Sequence, residues 1–137
     1  MVYEPEVRGE VRRPLGLSAV PAGFPSPAED YIDATLDLND YLIKHPAATF
    51  FMRVEGESMV NAGIHDGDIL IVDRSLEPDD GRVVVAVVGG DMTVKRISKR
   101  GGRILLVPEN DAYAVLEVAE DRECWIWGVV TNVIHRL

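Results

Sequence analysis

Three apolar runs parted by glycine pairs set the fold class of this chain. Arg82-Val83-Val84-Val85-Ala86-Val87-Val88 meets Gly89-Gly90, and Asp91-Met92-Thr93-Val94-Lys95-Arg96-Ile97 follows. A second pair, Gly101-Gly102, leads into Arg103-Ile104-Leu105-Leu106-Val107. Runs this short and this rich in β-branched residues read as strands, and the first glycine pair suits a primed hairpin turn, which needs positive φ. Further strands are expected at about 49–55, 68–74 and 124–134, the last bringing Trp125, Trp127, Val129, Val130 and Val133 to a core. A short helical pattern runs from Thr35 to His45, with Asp37 as N-cap, Leu38, Tyr41 and Leu42 on one face, and Pro46 as its stop. Short strands, glycine-rich turns and one early helix predict a mainly β chain, a sandwich or partial barrel.

At 137 residues the chain fits one domain. Residues 1–30 read as an irregular arm, because Pro5, Pro14, Pro21, Pro25 and Pro27 with Gly9, Gly16 and Gly23 deny it a long helix or strand. The arm carries Arg8, Arg12 and Arg13, and it has Leu15, Leu17, Val20 and Phe24 with which to dock. Residues 31–137 form the expected β-rich domain. A net charge of −9 repels phosphate, and Lys95-Arg96-Ile97-Ser98-Lys99-Arg100 is the one local basic run, so direct binding to nucleic acid or a membrane surface is disfavoured. No run approaches the roughly 20 apolar residues of a membrane span. The N-terminus lacks a signal-peptide pattern, and the single cysteine, Cys124, forms no intramolecular disulfide. A cytoplasmic location is expected.

Candidate chemistry centres on Val54-Glu55-Gly56-Glu57-Ser58-Met59-Val60. A serine just past a strand-ending glycine sits on a turn with its hydroxyl and N–H exposed, which suits a nucleophile and is also ordinary turn chemistry. A triad would need a histidine, yet His45, His65 and His135 stand in no signature context. Asp66-Gly67-Asp68 and Asp79-Asp80 lack the spacing of a calcium loop and read as turn formers, and no histidine pair suits zinc. Cys124, beside Trp125 in an apolar strand, reads as a buried structural thiol. Lys95 remains, flanked on its own strand face by Thr93 and Ile97. It is either a solvent-facing strand lysine or, if burial lowers its pKa, a general base for Ser58.

Several motifs stand in a fixed order. Ala22-Gly23-Phe24-Pro25-Ser26-Pro27-Ala28 precedes Gly56-Glu57-Ser58-Met59 and Gly63-Ile64-His65-Asp66-Gly67-Asp68. Thr93-Val94-Lys95-Arg96, Pro108-Glu109-Asn110 with Tyr113, and Gly128-Val129-Val130 follow. Ser58 lies 35 positions after Gly23 (58 − 23) and Lys95 lies 37 after Ser58 (95 − 58). In order and spacing, from Ala22 to the C-terminus, the chain resembles the UmuD branch of the LexA/UmuD self-cleaving serine peptidases. The resemblance implies that fold, with Ser58 as nucleophile, Lys95 as general base and the chain's own Ala22–Gly23 bond as the one cut. The backbone N–H groups of Ser58 and Met59 would hold the oxyanion, and Glu57 belongs to the turn rather than to a triad. No metal or organic cofactor is implied. The implied partners are a RecA filament on single-stranded DNA as co-protease, a second copy in a homodimer, and UmuC. With UmuC the cleaved dimer makes the error-prone translesion DNA polymerase V of the SOS response. Ala22 stands where this branch often has cysteine, a LexA-like feature, and Pro21 before it cannot donate a backbone hydrogen bond. Two other readings are a LexA-type repressor fragment, for which the stretch before Pro21 is too short to hold a helix-turn-helix, and a non-catalytic β interaction module.

Overall fold

A computed structural model of the chain describes residues 10–16, 19–25, 27, 32–118 and 123–137. Arg8 and Leu17 of the arm, with Ser26 and Ala28 of the first motif, lie outside them. The chain divides into two compact units, Met1–Lys44 and His45–Leu137.

In the first unit β1 (Arg12–Gly16) pairs antiparallel with β2 (Ile32–Asp37) in a two-stranded ribbon. Strand β1 is short, as the surrounding prolines and glycines require, and Pro14 is tolerated because each strand of a two-stranded ribbon has a free edge. The helix α1 (Leu38–Leu42) is shorter than the 35–45 pattern. Thr35 and Leu36 belong to β2 instead, since β-branched and apolar residues facing β1 complete a ladder there. Asp37 is the N-cap, accepting from the Asn39 N–H at 2.9 Å. Leu38 and Tyr41 are exposed, so the apolar face expected of this helix is not buried. The helix ends before Pro46, which opens a separate 3-10 turn at Pro46–Ala48.

The second unit is one seven-stranded antiparallel sheet in the order β3-β4-β9-β5-β6-β7-β8. Its strands are β3 (Thr49–Arg53), β4 (Ile69–Asp73), β5 (Val83–Val88), β6 (Asp91–Arg100), β7 (Arg103–Val107), β8 (Leu116–Glu117) and β9 (Cys124–Ile134). The sequence places six of these within a few residues, and β8 is too short to read in advance. The glycine pairs turn β5 into β6 and β6 into β7 with positive φ at all four residues. The protein is thus mainly β, and the sheet is open rather than a closed barrel.

Strand β9 organises the sheet. Its first half pairs with β5 and its second half with β4, so Val129 is partnered by Val84 on one side and Asp73 on the other. The register slips opposite Trp127 and Thr131, each an extra residue that bends the strand. Side chains alternate along β5 into two cores. Val85 joins Val54, Met59, Ile64, Leu70 and Val72, while Val84 and Ala86 join Ile97, Leu106 and Val129. Trp127 packs on the first core and against Phe50, whereas Trp125, 48% exposed, does not supply the core bulk expected of it. It pairs with Val87 near the start of β9, in the half that β5 covers but that runs beyond the end of β4.

Two histidines close the ends of β4. His135 Nδ1 lies 2.6 Å from Asp68 Oδ1, and His45 Nδ1 lies 2.5 Å from Asp73 Oδ2. Burial alone would raise the pKa of both aspartates. Hydrogen bonds from the His65 N–H and the His135 ring outweigh it at Asp68, as those from Ser75 and His45 do at Asp73, and both end below the ordinary carboxylate value. Asp68 closes the turn expected of it, its N–H donating to His65 O at 3.1 Å and its Oδ2 accepting from the His65 N–H at 2.8 Å. It is a buried structural anion as well, while Asp66 accepts from the Gly56 N–H at 2.7 Å. Among the described residues no helix is long and apolar enough to cross a membrane.

Two stability outcomes follow from this packing. A Cβ at Gly128 would lie 2.6 Å from Val72 Cγ1, so Gly128→Ala should cost about 1–3 kcal/mol in urea unfolding; an unchanged midpoint contradicts the close packing. Because Asp68 and Asp73 are more acidic folded than unfolded, their contribution is complete above about pH 4 and is lost as pH falls below it. Thermal unfolding should show that acid loss, and Asp68→Asn should flatten it.

Candidate active site

The turn that carries Ser58 is held from three directions. Val54 N–H donates to Asp68 O and Gly67 N–H to Val54 O, both at 2.9 Å, which ties the end of β3 to the start of β4. Gly56, with φ +86°, lets the chain leave that ladder without a side-chain clash. Past the serine, Met59 is 1% exposed and plugs the first core, and a 3-10 turn at Val60–Ala62 ends on Gly63 in the left-handed region. The third hold comes from the segment after β7. Glu109 N–H donates to Ser58 O at 2.8 Å, Asn61 N–H to Glu109 O at 2.8 Å, and Asn110 Nδ2 to Glu57 O at 2.9 Å. Val54 and Met59 are thus buried, while Ser58 is left half-buried beside a groove.

That groove has a volume of about 480 Å³. One wall is the β3 end and the serine turn, and the other is β6 with Met92, Thr93, Val94 and Lys95. Leu70 and Val85 lie among its lining residues and Tyr113 stands at it. Lys95 reaches across from β6, where it pairs with Val84, and its Nζ is 2.9 Å from Ser58 Oγ. The amine also donates to Thr93 Oγ1 at 2.8 Å and Val94 O at 3.0 Å. Among the described residues no carboxylate forms an ion pair with it, although Glu55 and Glu57 line the same groove. Partial burial without a counter-charge lowers the Lys95 pKa below its ordinary value. Once neutral, the amine accepts from the Ser58 hydroxyl rather than donating to it, which is the arrangement a nucleophile and its base require.

The remaining candidates are engaged elsewhere. His45 and His135 hold Asp73 and Asp68, and His65 stacks on His135 with ring centroids 4.8 Å apart. Cys124 does not line the groove, and burial raises its thiol pKa, the opposite of an activated thiolate. Among the described residues no three His, Cys, Asp or Glu side chains gather as a metal-ligand set. The Ser58 and Met59 N–H groups meet no protein acceptor among the described residues. Ala22 and Gly23 lie in an exposed bend, with open space around Gly23.

Thr93 and the Glu109-Asn110 pair stand in the sequence motifs, but the sequence alone assigns them no role at the site. Thr93 stands two residues before Lys95 on a strand, a spacing that puts both on one face, and that is how its hydroxyl meets the amine. The Glu109-Asn110 contacts with the serine turn carry no such local signal, because their partners, Glu57, Ser58 and Asn61, lie far back in the chain.

The chain matches the Peptidase S24-like family over residues 14–131. It is 49% identical to Protein ImpA of Escherichia coli over 124 residues, covering 90% of this chain and 84% of that protein. It is 47% identical to Protein MucA of Escherichia coli over 120 residues, covering 87% of this chain and 82% of that protein. The LexA repressor of Pseudomonas chlororaphis is 39% identical over 121 residues, which is 88% of this chain and 59% of the repressor.

The site makes a direct titration informative. Nitrogen NMR of the Lys95 amine should place its pKa below the roughly 10.4 of a free lysine. A value at or above that reference would contradict a desolvated, unpaired amine.

Proposed function

The chain belongs to the Peptidase S24-like family, and on that footing we propose that it is a self-cleaving serine peptidase using a Ser58–Lys95 dyad on its own Ala22–Gly23 bond. The observation that carries this reading is the 2.9 Å contact between Lys95 Nζ and Ser58 Oγ inside a groove, with no carboxylate among the described residues paired to the amine. Neutral Lys95 takes the Ser58 proton as Oγ attacks the Ala22 carbonyl carbon. The Ser58 and Met59 N–H groups receive the negative charge on the carbonyl oxygen. Lys95 then returns the proton to the Gly23 nitrogen as the peptide bond breaks, leaving an ester between Ser58 Oγ and Ala22. Water, deprotonated by the same amine, hydrolyses that ester and restores the hydroxyl. Small residues on both sides of the bond let the backbone enter a narrow groove.

The biological setting we propose is that of an SOS mutagenesis accessory protein in the cytoplasm. Residues 1–30 are the arm that carries the cut, and residues 31–137 the peptidase and dimerisation domain. A RecA filament on single-stranded DNA favours the cleavable arm position. The cleaved homodimer joins UmuC in DNA polymerase V. Support comes from the motif order, from the identity to ImpA and MucA, and from a net charge of −9, which leaves DNA contact to partners.

Incubating the purified chain across a pH series tests the dyad. Only the neutral amine is a base, so conversion should rise with pH and level off above the lowered Lys95 pKa. Ser58→Ala and Lys95→Ala should each abolish it. A rate unaltered in either variant, or one abolished by a chelator, contradicts the mechanism.

A further inference from the structure

The segment after β7 grips the serine turn at the back of the peptide units that carry the oxyanion donors. In a planar trans peptide the carbonyl oxygen and the N–H point in opposite directions. The Glu57 carbonyl belongs to the same peptide unit as the Ser58 N–H, and it accepts from Asn110 Nδ2 at 2.9 Å. The Ser58 carbonyl belongs to the unit carrying the Met59 N–H, and it accepts from the Glu109 N–H at 2.8 Å. Glu109 is in turn fixed to the strand of the base. Arg96, the residue after Lys95 on β6, donates from Nε to Glu109 Oε1 at 2.5 Å and from a terminal nitrogen to Gly81 O at 2.6 Å. One short segment therefore connects the strand bearing the amine to the turn bearing the hydroxyl.

We propose that Asn110 is a positioning residue of the cleavage reaction, its side-chain amide fixing the Glu57–Ser58 peptide so that the Ser58 N–H faces the developing oxyanion. The proposal rests on the reading of Ser58 as nucleophile. Two physical effects act through the one contact. A held carbonyl stops the peptide unit from rotating away from the groove, so the donor is in place before charge develops. A carbonyl that accepts a hydrogen bond also polarises its peptide, which strengthens the N–H on the far side. Asn110 is suited to this because its two functions are separable. Its Oδ1 accepts from the Ala112 N–H at 3.0 Å and shapes its own loop, while Nδ2 reaches Glu57.

That separation gives the test. Self-cleavage of the full chain is followed against pH for the wild type, Asn110→Ala and Asn110→Asp, with Ser58→Ala as the zero reference and thermal unfolding recorded for each. Asn110→Ala should lower the plateau rate about 10-fold or more. It should leave the pH of half-maximal rate at the wild-type position, because the Lys95 contacts are untouched. Asn110→Asp keeps an acceptor for the Ala112 N–H but loses the donor to Glu57, so it should be slowed at least as much while unfolding near the wild-type temperature. Wild-type rates in both variants overturn the proposal. A wild-type rate in Asn110→Asp beside a slow, early-melting Asn110→Ala also overturns it, because the loop and not the grip on Glu57 would then set the rate. A wild-type chain that stays intact at every pH overturns the reading of Ser58 itself, and this proposal with it.

Discussion

An amine placed partly out of water, with no carboxylate of the described residues paired to it, is the constraint on which the site depends. Holding Lys95 protonated there is unfavourable, and the protein answers with a lowered pKa rather than a salt bridge. Among the described residues the oxygens that meet the Nζ, from Ser58, Thr93 and Val94, are all neutral. A carboxylate in their place would lock the proton on and remove the base. The sheet serves this arrangement by pairing Lys95 with Val84 and Val94 with Val85, which surrounds the strand position with apolar neighbours.

The hydroxyl side is built differently. Ser58 belongs to a turn, not to the ladder, and turns move unless something holds them. Met59 anchors it below, the Gly56–Asp66 bond and the Val54–Asp68 pairing hold its entry, and Glu109 with Asn110 holds its carbonyls from outside. Through Arg96 and Glu109 the two sides of the dyad share one support. The distance between the Ser58 hydroxyl and the Lys95 amine is therefore set by three separate parts of the chain, joined through β9 and β5 in the middle of the sheet.

Much of this was legible in the sequence, and the reasons for the rest are physical. Glycine pairs at 89–90 and 101–102 mark hairpins because few other residues adopt positive φ at adjacent positions, so β5, β6 and β7 could be placed closely. The β1–β2 ribbon is hidden by Pro14, which weakens a strand signal without forbidding an edge. The turn role of Asp68 is legible in Asp-Gly-Asp, whereas its burial against His135, 67 residues on, is not. The size of Trp125 predicts a core residue, but it stands on the half of β9 beyond the end of β4 and is half exposed. Ser58 and Lys95 were named together because the alternatives failed one by one and the motif spacing matched a family. The 2.9 Å contact between them is a tertiary fact that no local pattern contains. The Asn110 grip is of the same kind, since its two partners are 53 positions apart.

The central claim is that this amine and this hydroxyl exist to cut one bond of their own chain. Intact-mass spectrometry of the purified protein after incubation with RecA, ATP and single-stranded DNA tests it most directly. The account predicts two products from each converted chain, one ending at Ala22 and one beginning at Gly23, and none when Ser58 is alanine. A cut at any other bond, or the same two products from the Ser58→Ala chain, would contradict it.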